Sequence, residues 1–272
     1  PSPTLVSKIR ASTYLIGASL ARFGKFLLSD FGGCSFSLRP IDLHIKSAIF
    51  LGAKRVRNTL VADGLSGTKI ELEKPSVGAS INTLIMAAGA KGITEIRGFA
   101  KEPHVLSVID FLRSMGADIT LTDQVITVKS APLSPTEFSV IGDMIEAGTY
   151  ITFALITDGE IKVTGFDPTE LSAFISALSD LGYTSEIGAD FIAVNAENHK
   201  PKTEENPHII ADPYPGFPTD LQPIIAPLLA HNEGGKITDN VWQGRFGYLD
   251  SLTPFGLSFS RYISSAKIEK SG

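Results

Sequence analysis

Two stretches decide the fold, Ile96-Arg97-Gly98-Phe99-Ala100-Lys101-Glu102-Pro103 and Val163-Thr164-Gly165-Phe166-Asp167-Pro168, because they are two copies of one instruction. Each reads β-branched aliphatic, polar, glycine, phenylalanine, and then leads to an acidic residue and a proline. Behind the first, Val105, Val108, Ile109 and Leu112 recur at the i, i+3, i+4, i+7 spacing of an amphipathic helix that stops at Met115-Gly116. Behind the second, Leu171, Phe174, Ile175 and Leu178 do the same, stopping at Leu181-Gly182. Proline in the first turn and glycine after the last are the expected start and stop signals.

Working outward, the unit recurs upstream from Arg39-Pro40 through Ile41, Ile45 and Ala48 to Leu51-Gly52, and downstream from about Gly244 through Leu249 and Leu252 to Phe255-Gly256. The terminal glycines Gly52, Gly116, Gly182 and Gly256 lie 64, 66 and 74 residues apart. Strand-like runs are expected between them at Lys69–Glu73, Gln124–Lys129 and Phe191–Ala196, with second helices at Val77–Gly89, Ile145–Thr157 and Leu221–Ala230. A period this long exceeds that of the common solenoids and suits a few large βα units built into globular α/β domains. The turn at Val140–Asp143 divides them, giving expected domains at 1–142 and 143–272.

Composition sets outer limits. The chain has 272 residues, 43% of them hydrophobic and 19% charged, which is ordinary for a globular protein with a real core. Its net charge of −5 argues against a nucleic-acid binder. The best apolar stretch, Tyr150 to Ile156, is far short of the ~20 residues that cross a membrane. The single cysteine, Cys34, has no internal disulfide partner, which points to a reducing, cytoplasmic compartment. No GxGxxG run, no metal-ligand spacing among the histidines and no GxSxG elbow is present, so neither a cofactor nor a metal is expected.

Three segments carry candidate chemistry. In Phe31-Gly32-Gly33-Cys34-Ser35-Phe36-Ser37-Leu38-Arg39-Pro40, two glycines flank the thiol and Arg39 follows five residues later, a cation that favours thiolate. A buried, inert cysteine is the equal alternative. Lys74-Pro75-Ser76-Val77-Gly78 opens a helix whose free N–H groups suit a phosphate, although Ser76 also reads as a plain N-cap. Asp220, after Pro215-Gly216-Phe217-Pro218-Thr219, reads either as a helix cap or as a positioned base. Arg10 and Arg245 have no local signal of their own.

Gly33-Cys34 with Arg39-Pro40-Ile41-Asp42-Leu43-His44 resembles the signature of the UDP-N-acetylglucosamine enolpyruvyl transferase family. Lys8-Ile9-Arg10-Ala11-Ser12, Leu20-Ala21-Arg22-Phe23-Gly24, Ser76-Val77-Gly78-Ala79, Glu102-Pro103, Ile145-Glu146-Ala147-Gly148-Thr149, Pro215–Gln222 and Gly244-Arg245-Phe246 follow in the family's order across the chain. The resemblance implies repeated βαβαββ units in two domains, each an inside-out α/β barrel with helices buried and sheets outward. It also implies transfer of the enolpyruvyl group of phosphoenolpyruvate to the 3′-hydroxyl of UDP-N-acetylglucosamine, in peptidoglycan precursor synthesis.

Residue by residue, the resemblance makes Cys34 the loop thiol that protonates or captures phosphoenolpyruvate and that fosfomycin alkylates. Arg10 and Arg39 become phosphate contacts, Pro40, Ile41, Asp42 and Leu43 the uridine pocket, and Lys74, Ser76, Val77 and Gly78 the diphosphate side. Asp220 becomes the base near the sugar hydroxyl, and Val241 and Arg245 further substrate contacts. Two residues depart from the family pattern: Met144 stands where relatives carry an arginine, and Gly244 where they carry an asparagine. The resemblance further implies that the family's N-terminal unit, with a Lys-Asn pair, and its last unit, with two anion-binding arginines, lie outside this chain. Two rivals remain at this stage, a shikimate-pathway transferase of the same fold and a non-catalytic nucleotide-sugar-binding remnant.

Overall fold

The computed structural model describes residues 2–33, 39–200 and 207–271, so Cys34 lies outside the described residues. The chain forms two compact units, Pro1–Val140 and Ile141–Gly272. The first opens with α1 (Pro3–Val6) and a 3-10 turn (Arg10–Tyr14), then α2 (Leu15–Phe23), β1 (Lys25–Leu27), α3 (Asp42–Phe50), β2 (Lys54–Val56) and β3 (Thr59–Val61). It continues with β4 (Lys69–Glu71), α4 (Val77–Ala88), β5 (Ile93–Arg97), α5 (Pro103–Ser114), β6 (Asp118–Leu121) and β7 (Ile126–Lys129). The second holds α6 (Met144–Ile156), β8 (Glu160–Thr164), α7 (Ser172–Asp180), β9 (Ser185–Ile187) and β10 (Phe191–Asn195). After these come β11 (His208–Ala211), α8 (Gln222–His231), β12 (Gly235–Asp239), α9 (Leu249–Leu252), β13 (Phe259–Arg261) and β14 (Ser265–Ile268).

Written this way the repeat is plain. Two sheets run β4-β5-β7-β6 and β11-β12-β14-β13; two shorter ones run β1-β3-β2 and β8-β10-β9. In the longer sheets the first pair is parallel and the others antiparallel, with α4 and α8 as the crossovers that a parallel pair requires. The shorter sheets repeat the antiparallel part. The two longer copies are therefore βαβαββ, and the other two are the same unit without its leading strand among the described residues.

The stop signal of each repeat is also one structure. Gly52, Gly116, Gly182 and Gly256 all have positive φ, 102°, 102°, 91° and 88°. The residue after each donates its N–H five residues back: Ala53 to Ala48, Ala117 to Leu112, Tyr183 to Leu178 and Leu257 to Leu252. This is the Schellman closure, in which the glycine conformation satisfies carbonyls the helix leaves open. The fourth helix differs from expectation. It reads as a full amphipathic helix in sequence, yet α9 has one turn and passes into a 3-10 turn at Thr253–Phe255, where Pro254 lacks the N–H that would continue it.

Each unit keeps helices inside and sheets outside. The α4 helix is buried along nearly its whole length, with Leu84 and Met86 fully enclosed, each worth about 1.5–3 kcal/mol of burial. It crosses α2 closely: a Cβ on Gly17 would sit 2.7 Å from Asn82 Oδ1. In the second unit α6 packs on α8, where a Cβ on Gly148 would sit 2.7 Å from Leu221 Cδ2. The strands alternate buried and exposed side chains, as Ile209 and Ala211 do against exposed His208 and Ile210, so one sheet face meets the helices and the other meets water. Among the described residues no helix is long and apolar enough to cross a membrane.

Candidate functional site

In the first unit the site starts from the 3-10 turn that carries Arg10. Ser12 donates to the carbonyls of Val6 (2.7 Å) and Ile9 (2.6 Å), and Thr13 donates to the carbonyl of Arg10 (3.0 Å). Local hydroxyl bonds of this kind reinforce a short turn whose backbone bonds are of the weaker 3-10 kind. Arg10 then donates through Nη2 to the carbonyl of Arg39 at 2.8 Å. Gly33 runs between the two: a Cβ there would lie 3.2 Å from both Arg10 Cβ and Arg39 Nη1. Burial, and secondly the charge of Arg39, push the Arg10 guanidinium below its ordinary range. Tyr14 joins the cluster; burial raises its phenol, and the two arginines oppose the rise. Two cations held side by side in a half-buried setting make a place for an anion.

The Arg39–His44 run meets the Lys74–Gly78 run through His44. That ring is 4% exposed, and its Nδ1 lies 2.6 Å from Asn82 Nδ2. Asn82, wholly buried, also donates to the carbonyl of Thr13 (3.0 Å) and accepts the N–H of Gly17 (2.7 Å). The amide oxygen is committed to Gly17, so its nitrogen must donate to His44, and the histidine proton resides on Nε2. Burial first, then Arg10, lower the His44 pKa to about 4, which keeps the ring neutral. Its Nε2 edge lies against the first turn of α4: a Cβ on Gly78 would sit 3.0 Å from it.

Of the remaining expected contacts, Ser76 is the N-cap of α4, accepting the Ala79 N–H at 3.4 Å. Lys74 and Pro40 are exposed, Ile41 is half-buried at the start of α3, and Asp42 is exposed in its first turn. Leu43 points into the core instead, so its side chain lines no surface.

The second unit assembles the other group. Asp220 does not cap α8; its carboxylate pairs with Arg245 Nη2. Arg245 also donates through Nη1 to Thr219 Oγ1 at 3.0 Å. The guanidinium is 14% exposed and Asp220 61%, so the carboxylate faces water while its partner is anchored inside. Thr219 in turn donates its hydroxyl hydrogen bond to Asp239 Oδ2 at 2.7 Å, and Gln222 Nε2 donates to the same oxygen at 3.3 Å. Val241 sits in the adjoining turn with its N–H on Asp239 Oδ1 at 2.8 Å.

Arg10, Arg39, Tyr14, His44 and Gly78 are thus brought together in one unit, and Asp220, Arg245, Thr219 and Val241 in the other. Sequence reasoning missed Asn82, Asp239 and Thr219 as members of these groups. A polar residue on the buried face of an apolar helix, between Ile81 and Leu84, was the available signal for Asn82. Asp239 followed by Asn240 reads only as the end of a strand. Among the described residues no group of three or more His, Cys, Asp or Glu is arranged to hold a metal.

Comparison with solved structures defines the class: the fold is that of the enolpyruvyl transferases. The enolpyruvyl transferase NikO from Streptomyces tendae matches with a TM-score of 0.82 at 23% identity, covering 99% of this chain and 65% of that one. EPSP synthase from Acinetobacter baumannii matches at 0.68 and 20% identity, covering 98% and 64%. The model of the EPSP synthase (3-phosphoshikimate 1-carboxyvinyltransferase) family matches residues 1–254, and the chain belongs to that family. Among its curated relatives it is 39% identical over 279 residues to UDP-N-acetylglucosamine 1-carboxyvinyltransferase 3 of Caldanaerobacter subterraneus subsp. tengcongensis, across 100% of this chain and 66% of the relative. It is 36% identical over 274 residues to UDP-N-acetylglucosamine 1-carboxyvinyltransferase of Wolbachia pipientis subsp. Culex pipiens, across 98% and 64%. The chain therefore spans just under two thirds of the length of these relatives.

Proposed function

We propose that this chain carries the central machinery of an enolpyruvyl transferase acting on phosphoenolpyruvate and UDP-N-acetylglucosamine. The observation that carries the reading is the Arg10–Arg39 pair, in which the Arg10 guanidinium donates at 2.8 Å to the backbone carbonyl of Arg39, on the same unit as the neutral His44 and the start of α4. Phosphoenolpyruvate is an anion that such a pair recognises. The relatives' names supply the acceptor. In this reading residues 1–142 bear the Cys34 loop and the nucleotide-sugar contacts Pro40, Ile41, Asp42, Lys74, Ser76, Val77 and Gly78, with Leu43 able to contribute only through its backbone. Residues 143–272 bear Asp220, Val241 and Arg245. No cofactor is required, and the site of action is the cytoplasm, as a step of peptidoglycan precursor synthesis.

The chemistry balances as addition followed by elimination. The 3′-hydroxyl oxygen bonds to C2 of phosphoenolpyruvate as its proton passes to Asp220, and C3 gains a proton from Cys34. C3 then returns a proton to the Cys34 thiolate as phosphate leaves C2 with the proton held by Asp220, which restores the double bond in an enolpyruvyl ether. Arg10 and Arg39 hold the charge of the phosphate through both steps. Asp220 offers its second oxygen to the hydroxyl while Arg245 holds the first.

Calorimetry with UDP-N-acetylglucosamine, followed by phosphate release from phosphoenolpyruvate with that acceptor or with shikimate 3-phosphate, tests the proposal. Binding and release with the nucleotide sugar are expected. Preference for shikimate 3-phosphate refutes the acceptor, and binding with no phosphate release from a protein extended to the relatives' full length refutes the reaction. Intact-mass analysis after fosfomycin treatment is expected to show one adduct, absent in Cys34→Ser.

A further inference from the structure

Asp239 stands at the end of β12 and is 1% exposed. Its carboxylate accepts four hydrogen bonds from two different segments. Oδ1 takes the N–H groups of Val241 and Trp242, both at 2.8 Å, which closes the turn after β12. Oδ2 takes the Thr219 hydroxyl at 2.7 Å and the Gln222 amide at 3.3 Å, which ties down the loop entering α8. A buried carboxylate is tolerated only when its lone pairs are satisfied, and here the acceptors are matched by donors on both sides.

The direction of these bonds matters. An ionised carboxylate only accepts, so the Thr219 proton must lie toward Asp239. The hydroxyl lone pairs are then turned to Arg245, whose Nη1 donates to them at 3.0 Å. With Nη1 fixed, the planar guanidinium presents Nη2 to Asp220. The orientation of Asp220 is therefore set three hydrogen bonds away, by a residue that does not touch it.

We propose that Asp239 is a positioning residue for the Asp220–Arg245 pair, acting through the polarity of the Thr219 hydroxyl; its catalytic meaning rests on the function proposed above. Asp239→Asn keeps the shape and reverses the polarity. Its Oδ1 serves Val241 and Trp242 as before, which leaves an NH2 facing Thr219. The hydroxyl must now accept from that side, and its proton meets the Arg245 N–H. Thr219→Val removes the same link and leaves Asp239 bonded to the turn.

The test compares the protein with Asp239→Asn, Thr219→Val and the double variant. The first readout is the side-chain 15N–1H spectrum of Arg245, which needs no substrate. Slow guanidinium rotation in the parent, and fast rotation in each single variant, are expected. The second is phosphate release from phosphoenolpyruvate and UDP-N-acetylglucosamine. Each single variant is expected to lose tenfold or more in kcat, with the double variant no worse than the weaker single. An Arg245 still restrained in both single variants, or losses that multiply in the double, overturns the proposal. If Asp239→Asn does not fold, Thr219→Val alone gives the spectrum that decides. Absence of turnover in the parent sinks the functional reading, while the spectrum still judges the role of Asp239.

Discussion

Replacing Asn82 by leucine tests the hydrogen-bond junction on which the first unit's site is built. The volume is nearly kept, so the change is chiefly one of polarity. Three partners lose their bond at once: the carbonyl of Thr13, the N–H of Gly17 and Nδ1 of His44. Asn82 is wholly buried and His44 and Thr13 nearly so, which leaves water little access. A buried polar group left unmade costs about 1–3 kcal/mol, so three together cost roughly 3–6 kcal/mol after partial relaxation. Thr83→Val is the internal control, since among the described residues the Thr83 hydroxyl, on the same buried helix, bonds only to the carbonyl of Ala79 one turn back. It should cost under about 1 kcal/mol. Equilibrium urea unfolding of the parent and both variants measures the difference. The Cε1 proton of His44, followed by NMR, is expected to shift in Asn82→Leu and to stay in Thr83→Val. A loss below about 1 kcal/mol for Asn82→Leu would mean the three bonds stabilise no more than solvent does, and the tautomer argument for His44 would fall with them.

Three further outcomes are expected. The His44 pKa is depressed to about 4 in the folded chain, against about 6.5 unfolded, so its contribution to stability is whole above pH 6.5. It is lost as pH falls toward 4, by about 3 kcal/mol, and urea midpoints at pH 7 and pH 4.5 that do not reflect such a loss count against it. Gly98→Ala, at φ 66° with a Cβ position 2.3 Å from the Leu72 carbonyl oxygen, should cost more than about 2 kcal/mol, whereas Gly247→Ala, with nothing within 4 Å, should be neutral by thermal melting. Burial raises the Glu102 carboxyl, whose enclosed Oε2 has no hydrogen-bond partner among the described residues. A raised acid is fully stabilising only below its unfolded range, so Glu102→Gln should gain stability at pH 7, and the gain should vanish at pH 3 in paired urea titrations.

Sequence by itself determined the repeat. The spacing of apolar residues and the glycines at 52, 116, 182 and 256 depend on local physics, in which a Cβ forbids what glycine allows and a helix face must be apolar to be buried. Those features are written in consecutive residues, so the helices at 77–88, 144–156 and 222–231 were legible to within a residue or two at each end. The short α9 was not, because a single proline outweighed an apolar pattern. Among candidate site residues, Arg10 and Arg245 entered only through likeness to a family, since a lone charged residue has no local signature, whereas Arg39 and Asp220 had local readings that left their roles open.

Tertiary structure alone decided which way those charges turn. Asp220 had two local readings, cap or base, and the fold sets aside the cap by pairing its carboxylate with Arg245, 25 residues away. His44 had no stated proton position until Asn82, 38 residues on, supplied the amide that fixes it. Asp239 looked like the end of a strand until the fold placed Thr219 and Gln222 against it. Hydrogen bonds are directional and short-ranged, so their partners are known only once the chain has brought distant residues within about 3 Å. Hydrophobic burial is neither, and for that reason the core could be read from the sequence while the polarity of the site could not.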